Sequence, residues 1–187
     1  MSQTNPVLPA AFLVPLNVAK KVMSFIIIAV GCLMAVTFFA VVILRYIFHA
    51  DLFAYEEWLM AAAFWMFFMA SAMATHDRMH INADILGLLI SNPKWIRRRA
   101  IVVSLLELVI LATLTWWGYL MVAEEFAAYP GWQTTIALKI PFVIPRSAIF
   151  IGFLMMTVFT ALQLYVAIIN RPSEELETID NAKERTS

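Results

Sequence analysis

Long uncharged runs dominate this chain. Val22 to Leu44, Trp58 to Ala74 and Ser147 to Ile169 carry no charge, and Ala100 to about Ala123 is broken only by Glu107. As a helix, a segment of about 20 such residues crosses the hydrocarbon of a bilayer. No run alternates like a barrel strand. In lipid a helix bonds every backbone group within its own segment. The pattern therefore predicts an all-α membrane protein with spans at about 22–47, 57–75, 100–123 and 147–169. The first run is longer than the apolar core of a cleavable signal, and no small-residue cleavage site precedes Arg45, so it reads as a retained span.

The pieces between the spans are shorter and more mixed. Residues 1–21 form an expected N-terminal interfacial segment, and Pro15 argues against one continuous helix with the first span. Along residues 80–91, His80, Asp84, Gly87 and Ser91 fall in one wedge of a helical wheel while the rest is mostly apolar. That predicts a short helix lying in the interface, ended by Asn92-Pro93. Lys94 and Arg97, Arg98 and Arg99 then anchor the third span on anionic headgroups. The 124–146 connection is too apolar around Ile136 to Ile144 for a free loop, and is expected to re-enter the interface or pack against something. The membrane domain is expected over 22–171, and residues 172–187 are expected to form a flexible polar tail.

Charge placement sets an orientation. With the N-terminus, the 75–99 connection and the tail on one side, that side holds Lys20, Lys21, Arg78, Lys94, Arg97, Arg98, Arg99, Arg171, Lys183 and Arg185. The other holds only Arg45, Lys139 and Arg146. Cytoplasmic loops collect Lys and Arg, so both termini are expected in the cytoplasm.

Composition narrows the function classes. The chain of 187 residues is 63% hydrophobic and 14% charged, with a mean hydropathy of +0.82. An ordinary soluble domain is about 45–50% apolar and about 25% charged, so a soluble enzyme is excluded. Net charge is zero, which leaves no basic field for nucleic acid. The single Cys32 excludes an internal disulfide, a Cys-pair redox enzyme and a thiolate metal cluster.

A few polar residues carry candidate chemistry. Glu107 lies eight residues past Arg99, roughly 12 Å along the third span. It reads either as a proton or cation site or as a buried polar contact between helices. Ser104 and the stripe Thr157, Thr160, Gln163 favour the second reading, with Glu107 and Gln163 as the buried polar contact. His76, His80 and Asp84 share a face at metal-ligand spacing, but no fourth ligand presents itself, so no metal is predicted. His49, His76 and His80 sit at or beyond span ends, which argues against haem. Glu56 and Glu57 open the second span, where acids complement the helix dipole. Two outward carboxylates also suit a basic patch on a partner. Ala63, Ala70 and Ala74 are small residues that would let a neighbouring helix approach.

Read in order, these features resemble a known family. Arg45-Tyr46 closes the first span, Glu56-Glu57 opens the second, which runs through Trp65 and Phe68, and Arg78-Met79-His80-Ile81 with Asp84 and Leu86 follows. This resembles the small, DctQ-like membrane subunit of the tripartite ATP-independent periplasmic (TRAP) transporters. The motif match covers residues 45 to 86, and the four-span layout extends it to most of the chain. The sequence departs from the family at Ala70, where a glycine is common, and in Pro141 and Pro145, which stand only four apart.

The resemblance implies a bacterial inner-membrane scaffold without enzyme activity or cofactor. Its implied partners are a large elevator-type permease subunit, a periplasmic solute-binding protein and membrane lipids. It implies sodium-driven symport for organic acid uptake, without ATP. On that footing Glu56 and Glu57 are assigned to partner contact, and Arg45, His80, Asp84, Arg97, Arg98 and Arg99 to membrane positioning and the subunit boundary. The competing reading is a self-sufficient oligomeric four-span transporter or channel that couples through Glu107.

Overall fold

The computed structural model describes residues 10–77 and 93–169. They form four α-helices: α1 (Ala10–Tyr46), α2 (Tyr55–His76), α3 (Pro93–Ala127) and α4 (Val143–Ile169). All four are long and apolar enough to cross a membrane. No strand occurs among the described residues, only an isolated bridge between Thr134 and Pro141. The interfacial helix expected over 80–91, the tail at 172–187 and residues 1–9 lie outside the described residues, while residues 10–21 of the expected N-terminal segment belong to α1.

The helices begin earlier than the apolar runs suggest, because a charge or a proline ends a run without ending a helix. The break expected at Pro15 does not occur, and α1 continues from Ala10. Pro15 removes one backbone bond, to Ala11, close to a helix start whose first amides are unpaired in any case. Pro93 opens α3 at the position where a proline costs nothing. Pro145 lies in the first turn of α4, with the same tolerance. At the far end of α1, His49 adopts a left-handed backbone and Ala50 N–H donates back to Leu44 O at 3.0 Å. Ala54, also left-handed, starts α2 without a side-chain cap, and Glu56 and Glu57 supply negative charge to that turn.

The helices form a row rather than a closed bundle. α1 packs on α2, α2 on α4, and α4 on α3, and no other pair of described helices packs extensively. Met23 of α1, Met69 and Ala72 of α2, Leu111 of α3, and Met156 and Phe159 of α4 make the buried core. The two inner helices approach tightly at Gly152, where an added Cβ would lie 2.6 Å from Phe68 Cβ. Phe68 meets Phe153 edge-on at 5.3 Å. On the other flank, Gly118 lets α3 approach the backbone of Phe150, 3.2 Å from an added Cβ. The alanines that α2 buries are Ala61 and Ala72, whereas the expected stripe of Ala63, Ala70 and Ala74 is only half-buried.

Candidate functional site

The 47–54 and 128–142 connections share one end of the row, and the structure ties them together there. Glu57, in the first turn of α2, accepts hydrogen bonds from Ala137 N–H and Leu138 N–H, both at 2.8 Å. Its two oxygens are therefore engaged by two successive amides of the α3–α4 connection. Such charge-assisted bonds are stronger than neutral ones. The loop is shaped to offer those amides. Thr135 N–H donates to Ile140 O, Phe142 N–H donates to Gln133 O, and Ile140 N–H also reaches Thr135 Oγ1. These bonds leave residues 136–139 as an exposed tip, with Lys139 in a left-handed conformation.

An ion pair with a buried acid and a partly exposed arginine fixes the base of the same loop. Glu125, in the last turn of α3, pairs with Arg146, in the first turn of α4. Glu125 is 4% exposed, and its second oxygen has no hydrogen-bond partner among the described residues. Each charge stands at the wrong end of its own helix dipole, an acid at a C-terminus and a base at an N-terminus. Because α3 and α4 run antiparallel, each satisfies the other. Trp132 packs edge-on against Phe126 and Tyr129 beside this pair. Arg146 also lies over the Phe142 ring, 5.9 Å from its centroid.

The opposite end carries a second polar cluster. Gln163 of α4 donates from Nε2 to Thr75 O at 2.7 Å and to His76 O at 3.2 Å. Those carbonyls lie in the last turn of α2, where a helix runs short of its own amide donors, so Gln163 helps cap α2. His76 Nδ1 lies 2.8 Å from Asp77 Oδ1, and the ring rests edge-on against Phe159. Lys20 of α1 reaches Asp77 at 3.8 Å.

The structure thus separates the residues picked out by sequence. Glu56 is exposed and Glu57 is held by the loop. Arg45 is exposed in the last turn of α1, Arg98 is exposed and Arg99 half-buried in the second turn of α3. His80, Asp84 and the side chain of Arg97 lie outside the described residues. Glu107 is half-buried on α3. Thr115 Oγ1 and Thr157 Oγ1 make a side-chain bond of 2.8 Å between α3 and α4, while Gln163 turns to α2. Sequence reasoning missed Glu125 and Arg146 as a pair. The available signal was their shared mismatch with the helix dipole, across a connection that returns one helix beside the other.

This arrangement holds a surface in place. The model of the family described as "Tripartite ATP-independent periplasmic transporters, DctQ component" matches residues 33–170. No curated protein matches the chain.

Proposed function

The chain belongs to the DctQ component of the tripartite ATP-independent periplasmic transporters, and on that premise we propose that it is a fixed scaffold for the large, elevator-type permease subunit. It is a multi-pass membrane component of a transporter. The observation that carries the scaffold reading is the open row. α1 and α3 bury few residues, while broad apolar faces such as Phe25, Ile28, Val102 and Leu106 are uncovered. Among the described residues the row of four helices encloses no lumen for a solute, so a self-sufficient pore would need several copies around it, whereas a role beside a permease needs only this chain.

In this reading the complex lies in the bacterial inner membrane with both termini of this chain in the cytoplasm. A sodium gradient drives uptake of carboxylate-bearing solutes, delivered by a periplasmic binding protein. Glu56 faces a partner, and Glu57 shapes the loop beside it. Arg98 and Arg99 gain nothing from the dipole at the start of α3, which supports their assignment with Arg97 to lipid headgroups. Arg45 holds the opposite boundary, and His80 and Asp84 belong to the subunit boundary. A pull-down in mild detergent from cells expressing the neighbouring genes, read by mass spectrometry, tests the proposal. A stoichiometric large permease is expected. The chain alone, or a homo-oligomer that moves solute in liposomes, overturns it and makes Glu107 the next target. An active periplasm-specific reporter fused after Ser187 would reverse the orientation.

A further inference from the structure

The tip of the 132–142 loop is held at a defined depth. Glu57 is the third residue of α2, and α2, with 22 residues, is about 33 Å long. That length matches a hydrocarbon layer about 30 Å thick. The first turn of α2 therefore lies where hydrocarbon gives way to headgroups. Because Ala137 N–H and Leu138 N–H are both bonded to the Glu57 carboxylate, the tip is fixed within one side-chain length of that level.

The side chains at the tip suit that level. Ile136 is 96% exposed and Leu138 43%. Lys139 beside them is exposed as well. Phe53 and Tyr129 add exposed rings at the same end, and aromatic residues concentrate at membrane–water boundaries. An apolar pair beside a lysine can place its carbons at the acyl boundary and its ammonium among phosphates.

We propose that this tip is a lipid-contacting foot, with Ile136 and Leu138 seated at the boundary of headgroups and acyl chains, Lys139 on a lipid phosphate, and Glu57 as the positioning residue that sets the depth. The foot requires only that α2 spans the membrane, so it stands apart from the scaffold reading.

A spin label tests it on the full chain in nanodiscs of phosphatidylethanolamine and phosphatidylglycerol. Cys32→Ala removes the native thiol, and Ile136→Cys carries the nitroxide. Collision with oxygen, which enters the acyl layer, is compared with collision with a water-soluble nickel chelate. Oxygen is expected to dominate at position 136 without any partner protein present. Adding Glu57→Ala is expected to raise both label mobility and nickel collisions there. A label at Ile28→Cys, exposed along α1, should stay rich in oxygen collisions in both backgrounds and shows that the variant is folded. Nickel dominating at 136 with Glu57 intact overturns the foot, as does shielding from both reagents that appears only when the large permease is co-purified. An unchanged label in Glu57→Ala removes Glu57 from the account.

Discussion

α2 and α4 meet through close approach, edge-on rings and an amide cap, and each has a packed helix on either side, whereas α1 and α3 each pack on a single neighbour. The inner contact is made by Gly152 against Phe68, Phe68 against Phe153, and Gln163 on the last carbonyls of α2. The outer helices attach through Met23 and Lys20 on one flank and through Leu111, Gly118, Thr115 and the Glu125–Arg146 pair on the other. The most apolar stretch of α1 exceeds those of the other helices and is among the least buried, while that of α2 is the least apolar and is better buried. In water the order would be reversed. Between lipid tails an apolar side chain gains little by moving inward, so small residues and polar groups decide which helices sit at the centre.

The strongest test of that contrast strikes the tie between an outer and an inner helix. Arg146→Met leaves Glu125 buried and unpaired, and is expected to destabilise the protein by about 3 kcal/mol, at the lower end for a broken buried pair because Arg146 is partly exposed. Thermal unfolding in detergent measures it. Adding Glu125→Gln should restore much of the loss, because the remaining group is neutral. No recovery in the double variant would mean that Arg146 acts through packing on Phe142 instead.

Three glycines then grade the contacts. Gly152→Ala forces a Cβ onto Phe68 and should cost about 2 kcal/mol. Gly118→Ala meets the Phe150 backbone at 3.2 Å and should cost about 1 kcal/mol. Gly31→Ala, with only Met66 Sδ at 3.9 Å, should be neutral or stabilise α1 by up to about 1 kcal/mol through helix propensity. Equal unfolding temperatures for the variants at 152 and 31 would erase the distinction between inner and outer helices. Gln163→Leu strips the cap from Thr75 and His76 and should cost about 1 kcal/mol.

The sequence displays the helices more readily than their neighbours. Four spans were legible because lipid demands long uncharged segments, and the runs from Val22, Trp58, Ala100 and Ser147 supply them. Helix starts were not, since Pro15, Pro93 and Pro145 all fall near a helix beginning, where a missing amide matters little. Pairing was hidden for another reason. An all-round apolar helix such as α1 carries no stripe to mark which face is covered. The alanines on α2 illustrate this, with Ala61 and Ala72 buried rather than Ala63, Ala70 and Ala74. At the candidate site, Glu56 and Glu57 were visible as a motif. That Glu57 reaches Ala137 and Leu138, 80 and 81 residues onward, depends on a loop whose course no local pattern encodes.

The smallest expected effect concerns a hydroxyl pair between α3 and α4. Thr115 Oγ1 contacts Leu111 O and Thr157 Oγ1, and Thr157 Oγ1 contacts Phe153 O, each at 2.8 Å. Each hydroxyl has a single hydrogen, so the two cannot make all three bonds at once. One donates to its own helix while the other donates across. When either threonine becomes valine, the survivor turns back to its own backbone carbonyl and is not left unpaired. A double-mutant cycle over Thr115→Val and Thr157→Val should therefore give a coupling of only about 0.6 kcal/mol, the average for such bonds between membrane helices. A coupling above about 2 kcal/mol would exceed what membrane helices are known to yield. It would mean that this pair, more than the close approach at Gly118, adds to the Glu125–Arg146 tie in holding α3 on the row.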